Sequence, residues 1–376
     1  MTVLLILFLG TATLLWLSVF GYLLVLVSIA SRRRPGERGE PALPEIAVVI
    51  PTLNEEDLIA SKLADLRRTD YPRDRMEVVV VDGGSVDRTK ELIREEIDRG
   101  ENIQLESPDG ALGLAHDLKY AIEHLTQEIV VVTDADSVLE PSCIRNLVTM
   151  LLQNPDTAIA GAMLSPSNHL LEEHMHRWYL NHLWWLEGEA LSSTGVSGAC
   201  YALRRKTVLP MCEDARVTDI NLSLASPAKG YRTRICRAAH ATEVRPPQNA
   251  MEFVRFRCSR AGLYVSELLH SWKCASGPLL FRVMCAIRLL HFLLLPWVGA
   301  AFAVSACVLM VTPYWPWPII TLFAFATSML LTLFPSNLLA GEGRRWRRLS
   351  LAAGRLLALT FISTLGLNSN PRHRVL

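Results

Sequence analysis

The stretch Ile129–Asp136, with the sequence IVVVTDAD, decides the fold class of this chain. The four β-branched aliphatic residues Ile129–Val132 are typical of a strand that is buried on both faces of a parallel sheet. Two carboxylates, Asp134 and Asp136, follow that strand directly. Ligands of open parallel sheets bind beyond the carboxyl ends of the strands. Both carboxylates are therefore expected to face a binding crevice.

The chain on either side of this stretch alternates between short apolar runs and amphipathic segments. Such alternation, with polar loops between the segments, predicts an open and mostly parallel α/β sheet. The predicted strands are Ile46–Ile50, Glu77–Val81, Ile129–Val132 and Ala158–Met163, and the predicted helices are Glu55–Arg67, Asp87–Arg99 and Pro141–Gln153.

The first thirty residues carry no charged side chain, and half of the whole chain is hydrophobic. A run of this length is sufficient to cross the hydrocarbon core of a membrane as a helix. A signal peptide would carry its basic residues before the apolar run, whereas here Arg32, Arg33 and Arg34 follow it. Positive charge stays on the cytoplasmic side, so the central domain is predicted to be cytoplasmic. Together with the second apolar region described next, this predicts a multi-pass protein of the cell membrane.

A second apolar region lies near the other end of the chain. Leu289–Val311, with a kink at Pro296, and Ile319–Ala340 are predicted to span the membrane. Leu349–Leu367 contains Arg355 and is either a third span or an interfacial helix. The predicted organisation is therefore an N-terminal span over 1–31, a cytoplasmic domain over 45–265, and a region over 266–376 with interfacial helices and two or three spans.

Charge and cysteine usage exclude several functional classes. The net charge of +1 gives no broad electrostatic footprint for nucleic acid, so no nucleic-acid partner is expected. The eight cysteines form no CxxC pair, which argues against a zinc site and indicates a reducing compartment.

Four polar motifs occur in order along the central domain: 51-PTLNE-55, 80-VVDGGSVDRT-89, 134-DAD-136 and 218-TDINL-222. In this order they resemble family 2 glycosyltransferases of the GT-A fold, over roughly residues 45–265. With the apolar segments, the chain is similar to the membrane-bound branch that includes ceramide and carotenoid glucosyltransferases and polysaccharide synthases. The resemblance implies a Rossmann-like, mostly parallel sheet, flanked by N-terminal and C-terminal transmembrane helices.

The resemblance also implies roles for individual carboxylates. Asp136 would coordinate Mg²⁺ or Mn²⁺, and Asp219 would act as the general base in an inverting transfer. The residues implied to bind the donor, a nucleotide sugar expected to be a UDP-sugar, are Thr52 and Glu55 in the nucleotide pocket, Asp82 at the base, and Asp134 near the ribose and diphosphate.

Simpler structural roles are open for some of these side chains. Asp82 and Asp87 could be turn formers beside Gly83 and Gly84. Asp219 could stabilise the first turn of a helix through the helix dipole.

Acceptor binding is predicted from aromatic residues upstream of the Asp219 motif. Trp178, Trp184 and Trp185 offer aromatic faces suited to sugar rings or lipid tails, although aromatic residues are also common membrane anchors. The stretch 198-GACYALRR-205 resembles the family's wall between donor sugar and acceptor, which adds Cys200 to the predicted acceptor site.

The chain departs from the family pattern at three places. The QxxRW motif of many membrane-bound members is reduced to 254-VRFRC-258, in which only Arg257 matches, and Arg257 is predicted to hold the leaving diphosphate. Leu114 stands where relatives have a lysine, and Thr218 stands where they have a glutamate.

The missing tryptophan argues against a processive polymer channel, so a membrane-associated lipid acceptor is favoured. A polysaccharide synthase that extends and exports a glycan is the alternative enzyme, and a non-catalytic membrane scaffold is the alternative outside enzymes. A Rossmann dehydrogenase is disfavoured because no GxGxxG opens the first helix of the domain.

Overall fold

The computed structural model of the chain describes residues 1–30, 41–100, 102–108, 113–209, 218–274 and 277–333. Eight strands in this part of the chain form a single sheet. They are β1 Ile46–Thr52, β2 Met76–Asp82, β3 Ile103–Glu106, β4 Ile129–Thr133, β5 Ser137–Leu139, β6 Thr157–Pro166, β7 Cys200–Arg204 and β8 Arg232–Glu243.

The strand order is β3-β2-β1-β4-β7-β6-β8-β5, and the sheet is mixed rather than uniformly parallel. Strands β3, β2, β1 and β4 are parallel to one another. Strand β7 then runs antiparallel to β4 and pairs Cys200 with Thr133. On the far side of β7, strand β6 is antiparallel to it, β8 is parallel to β6, and β5 is antiparallel to β8. The α/β class predicted from the sequence is confirmed.

Helices cover both faces of the sheet and extend beyond it. They are α1 Thr2–Trp16, α2 Tyr22–Ala30, α3 Ile59–Leu66, α4 Thr89–Asp98, α5 Leu114–His124, α6 Cys143–Gln153, α7 Leu171–Ala190, α8 Arg205–Val208, α9 Thr218–Ala225, α10 Ala250–Cys274, α11 Leu279–Leu293, α12 Leu295–Met310 and α13 Pro316–Leu333.

Two hydrophobic clusters lie on opposite faces of the sheet. Strand β1 contributes to both, because Val48 and Ile50 enter the cluster formed with α3 and α6, whereas Val49 enters the other. That second cluster contains residues of α5, α7, α9, α10 and α11, together with Leu23 and Leu26 of α2. The N-terminal helix therefore shares a core with the central domain.

The turn between β1 and α3 is longer than the sequence predicted. Asn54 has a φ of 56°, which is a left-handed conformation that favours a turn over a helix. The carbonyl oxygen of Glu55 then accepts hydrogen bonds from Leu58 N at 3.0 Å and Ile59 N at 2.9 Å. Helix α3 consequently begins at Ile59, and Glu55 stays in the polar loop at the end of β1.

One helix in the described part of the chain is by itself long and apolar enough to cross a membrane. It covers Thr2–Ala30, with a π-helical segment at Leu17–Gly21 joining α1 to α2. Helices α11 and α12 would pass the same test as one span, but they are bent by 47° where they meet. The predicted span Leu289–Val311 is therefore divided, and Pro296 lies in the first turn of α12.

Several predictions from the sequence concern residues outside the described part. These are the basic residues Arg32–Arg34, the end of the predicted span Ile319–Ala340, and the segment Leu349–Leu367.

Candidate active site

Three carboxylates converge beside the strand pair β4 and β7. Asp134 and Asp136 follow β4, and Asp219 lies in the first turn of α9. A side chain added to Gly198 would meet a carboxylate oxygen of Asp134 at 3.2 Å and one of Asp219 at 3.4 Å. The absence of a side chain at Gly198 therefore lets two carboxylates from distant parts of the chain approach one point.

Burial and mutual repulsion disfavour the ionised forms of these carboxylates. Burial, together with the negative charges of Asp136 and Asp219, raises the pKa of Asp134 to about 7, against the opposing effect of Arg260. Burial also raises the pKa of Asp219, while Arg260 and the backbone amides of Ile220 and Gly198 lower it. A bound cation would relieve the repulsion among these groups.

The donor chemistry of the cluster fits a hard divalent cation. Within the residues described, no group of three or more His, Cys, Asp or Glu side chains forms a complete protein-only metal site. Magnesium-type ions commonly bind through one or two carboxylates and complete their coordination with water and substrate phosphates. Asp134 and Asp136 match that mode, and Asp136 is the residue on which the sequence prediction placed the metal.

A buried lysine supports the Asp134–Asp136 loop from beneath. The Lys62 ammonium, 2% exposed as a residue, donates hydrogen bonds to Thr133 Oγ1 at 2.8 Å and to the Ser137 carbonyl oxygen at 2.8 Å. Burial lowers the pKa of Lys62. Sequence reasoning missed this residue, although Lys62 shares the apolar face of α3 with Ile59 and Leu63, a position where a lysine is conspicuous.

The predicted nucleotide-pocket residues lie at the ends of β1 and β2. Thr52 is buried, and its hydroxyl donates to the Val81 carbonyl oxygen at 3.3 Å. Glu55 forms an ion pair with Arg245, which sequence reasoning also missed. Burial raises the pKa of Glu55, and Arg245 opposes that shift.

Asp82 is fully buried and holds the turn that follows β2. Its carboxylate accepts hydrogen bonds from Gly84 N and Ser85 N, each at 3.0 Å, and lies 3.2 Å from the Lys90 ammonium. The turn-forming role considered from the sequence is thus present in the structure. The predicted contact of Asp82 with the nucleotide base would have to use the same carboxylate oxygens that already accept the hydrogen bonds of this turn.

A cavity of about 270 Å³ adjoins the three carboxylates. Its lining includes five of the predicted site residues, namely Asp134, Asp136, Trp184, Asp219 and Arg257. Part of its wall is formed by α10 and α11, through Tyr264, Arg288 and Phe292. The cavity thus connects the carboxylate cluster with the helices that pack on the N-terminal segment.

The four predicted acceptor residues are in different surroundings. Trp184 lines the cavity, and its indole N–H is buried without a hydrogen-bond partner. Trp178 is exposed and packs on His182, and Trp185 packs under the Arg237 guanidinium. Cys200 is fully buried in the core, so its thiol offers no surface to an acceptor.

Arg257, predicted to hold the leaving group, is paired within the protein. Its guanidinium forms an ion pair with Glu173, a fully buried carboxylate that also pairs with Arg177 at 3.0 Å. Burial and the positive charge of Arg177 lower the pKa of Arg257 to about 9, against the opposing effect of Glu173. The one residue that matches the family motif is thus part of an internal ion-pair network.

Comparison with known proteins shows what this domain is similar to in sequence and in fold. Residues 47–208 match the family model described as "Glycosyl transferase family 2". The structure aligns with that of the mannosyltransferase PcManGT from Pyrobaculum calidifontis, solved in complex with GDP-Man and Mn²⁺, with a TM-score of 0.67 and 23% identity. The alignment covers 95% of this chain and 98% of that one, and it supports the GT-A fold.

Curated relatives share the same domain over part of their length. The chain is 25% identical over 216 residues to the probable glycosyltransferase YdaM of Bacillus subtilis, covering 54% of this chain and 51% of that protein. It is 30% identical over 167 residues to the probable glucomannan 4-beta-mannosyltransferase 10 of Arabidopsis thaliana, covering 42% of this chain and 30% of the relative. The chain therefore spans about half the length, or less, of these two relatives.

Proposed function

We propose that this chain, whose residues 47–208 match the model of the family 2 glycosyltransferases, is an inverting glycosyltransferase. It moves a sugar from a nucleoside-diphosphate sugar to a membrane-associated lipid acceptor. The observation that carries this proposal is the convergence of Asp134, Asp136 and Asp219 on one cavity beside Gly198.

Asp219 is the general base in this mechanism. Its carboxylate takes the proton of the acceptor hydroxyl as the hydroxyl oxygen forms a bond to the anomeric carbon. The bond from that carbon to the diphosphate oxygen breaks on the opposite face, so the configuration inverts and a nucleoside diphosphate leaves. The raised pKa of Asp219 suits this role, because a carboxylate with a higher pKa accepts a proton more readily.

Asp136 and Asp134 would hold a divalent cation, either Mg²⁺ or Mn²⁺. When bound, the cation neutralises negative charge that develops on the leaving diphosphate. Lys62 keeps the loop that carries both carboxylates in place through its hydrogen bonds to Thr133 and Ser137. Thr52, Glu55 and Asp82 then border the nucleoside at the ends of β1 and β2.

The donor to test first is GDP-mannose. The aligned mannosyltransferase of Pyrobaculum calidifontis was solved with GDP-Man and Mn²⁺, and the Arabidopsis relative is named as a mannosyltransferase. The family resemblance alone favours a UDP-sugar, so UDP-glucose and UDP-N-acetylglucosamine form the second arm of the test.

A lipid acceptor is supported by the position of the cavity. Part of its wall belongs to α10 and α11, and α11 begins the bent apolar helix pair. Helix α2 packs into the hydrophobic cluster that also contains residues of α10 and α11, so the apolar N-terminal helix lies beside the domain. An acceptor held in the membrane would then meet the donor at the domain's membrane-facing side, on the cytoplasmic side of the bilayer.

A polysaccharide synthase is the second candidate. It is favoured by the names of the plant relatives, which are glucomannan 4-beta-mannosyltransferases. Product length separates the two candidates, because a lipid acceptor gives a single-sugar glycolipid whereas a synthase gives a ladder of glycans.

The decisive experiment incubates membranes that contain the full chain with each labelled nucleotide sugar and Mn²⁺. We expect label in the lipid extract, dependent on the metal, and none from membranes with the Asp136→Ala variant. Label in a water-soluble polymer ladder would support the synthase instead. Equal transfer by Asp136→Ala, or full turnover in the presence of a chelator, would contradict the mechanism.

A further inference from the structure

Helix α10 presents two arginines to the cavity, one turn apart. Arg257 and Arg260 both line it, and their spacing of three residues places them on the same side of the helix. Both side chains therefore line the cavity that adjoins the carboxylate cluster. Their other contacts differ, and this difference separates their roles.

Arg257 is held by groups of the protein itself. Its side chain is 12% exposed and pairs with Glu173, whose side chain has no exposed surface. Its guanidinium also lies over the rings of Phe253 and Phe256, at 5.6 and 5.0 Å from their centroids. Moving Arg257 onto a ligand would leave the Glu173 carboxylate buried with Arg177 as its one recorded ion-pair partner among the described residues, which is energetically costly.

Arg260 is an exposed residue on the cavity wall. Among the residues the structure describes, it forms no ion pair or hydrogen bond, and its recorded contact is with the Phe256 ring at 5.3 Å. Its charge is the largest opposing influence on the raised pKa values of both Asp134 and Asp219. Arg260 therefore faces the two carboxylates while its donors remain available.

The charge of the loaded site favours a cation at this position. Asp134, Asp136 and Asp219 together carry up to three negative charges, and a donor diphosphate brings about two more. One divalent cation offsets only part of this total. A guanidinium can bind phosphate oxygens through two parallel hydrogen bonds, which makes it well suited to supply the rest.

We propose that Arg260 binds the diphosphate of the donor, and that Arg257 is a structural residue that joins α10 to α7 through Glu173. This inference rests on the proposed function, because it takes a nucleoside-diphosphate sugar as the donor. It moves the leaving-group contact from the arginine that matches the family motif to one that lies outside it.

The test measures nucleotide affinity by titration calorimetry on the full chain in detergent with Mn²⁺. The probes are GDP and UDP, each compared with its monophosphate. For Arg260→Ala we expect the affinity for the diphosphate that binds to fall about 10- to 100-fold, as for a lost charge-assisted hydrogen-bond pair. The affinity for the monophosphate should change much less. Arg260→Lys should recover part of the loss, because it keeps the charge without the planar fork.

Two further variants make the assignment specific. Arg255→Ala removes an exposed arginine of the same helix that does not line the cavity, and it should leave both affinities unchanged. Arg257→Ala should lower the unfolding temperature, because it leaves Glu173 without one of its partners. Arg260→Ala should not lower that temperature, since its side chain is exposed.

The outcomes separate this inference from the proposed function. If the wild type binds a nucleoside diphosphate and Arg260→Ala binds it equally well, the inference fails and the proposed function stands. Equal losses for diphosphate and monophosphate would also overturn it. If the wild type binds neither diphosphate, the proposed function fails as well.

Discussion

The Tyr22 hydroxyl donates a hydrogen bond of 2.8 Å to Glu187 Oε1, which joins the N-terminal helix to α7. The other oxygen of Glu187 accepts hydrogen bonds from Thr194 N at 3.0 Å and Thr194 Oγ1 at 2.6 Å. Arg288 of α11 lies 3.4 Å from the same carboxylate. Four residues away from Thr194, Gly198 lies between Asp134 and Asp219. Glu187 therefore connects the apolar helices to the segment that forms one side of the site.

Removing this carboxylate is expected to destabilise the protein strongly. Glu187→Ala leaves Arg288 buried without its counter-charge, and loss of one partner from a buried pair costs about 3–5 kcal/mol. Tyr22→Phe removes one hydrogen bond and should cost about 1 kcal/mol. Thermal unfolding in detergent measures both. Glu189→Ala, on the same helix but in the partly exposed pair with Arg234, is the control and should have a small effect. Equal shifts for Glu187→Ala and Glu189→Ala would refute the role of Glu187.

Asp219→Asn should separate catalysis from binding. The amide keeps the size of the side chain but cannot take the acceptor proton, and loss of a general base commonly lowers the rate by about 10²–10⁴-fold. Nucleoside-diphosphate affinity should change little, because this role involves the acceptor. Single-turnover transfer and calorimetry provide the two measurements. A variant that transfers sugar at the wild-type rate would remove Asp219 from the mechanism.

Metal binding should reverse the pH dependence of stability at this site. The pKa of Asp134 is raised by burial to about 7, whereas that of an unfolded chain is near 4. Without metal, the stability that Asp134 contributes is fully present below about pH 4 and is lost as the pH rises through about 7. Mn²⁺ binds the ionised form, so it should raise the unfolding temperature more at pH 8 than at pH 6. The Asp136→Ala variant is the control, and an equal Mn²⁺ effect at both pH values would contradict the prediction.

Lys62→Met tests the support beneath the Asp134–Asp136 loop. Methionine fills a similar volume but leaves Thr133, Ser137 and the nearby Asp65 without the ammonium, at an expected cost of about 3–5 kcal/mol. Lys229→Met changes an exposed lysine and should cost about 1 kcal/mol or less. Denaturant unfolding compares the two variants. If they are equally stable, the Lys62 hydrogen bonds contribute little to the fold.

Local pattern was sufficient to predict β1, β2 and β4 in the parallel part of the sheet, but not β3. The β-branched runs of β1, β2 and β4 are buried on both faces, so their composition identifies them, and Asp82 and Asp134 lie at the end of β2 and directly after β4. The strand β8 was not predicted, because Arg232–Glu243 interleaves arginines with buried residues and its position depends on pairing with β6.

The ion pairs of the site could not be read from sequence. Glu173 and Arg257 are far apart in the chain, and their pairing depends on how α7 packs against α10. The same holds for Glu55 and Arg245. The family motif points to Arg257. Only the packing reveals that Arg257 is paired with Glu173, whereas Arg260 has no ion pair within the described part of the chain.

The packing of α1 against α12 has a consequence for how the protein is made. The ring of Phe8 stacks on that of Phe302 at 5.1 Å, although the two residues are roughly 300 positions apart in the chain. At about 5–20 residues per second, a ribosome needs on the order of 15 to 60 s to cover that distance. The first helix is therefore synthesised long before its partner. Until Phe302 has been synthesised, α1 must therefore be in another environment, either in lipid or bound to a chaperone.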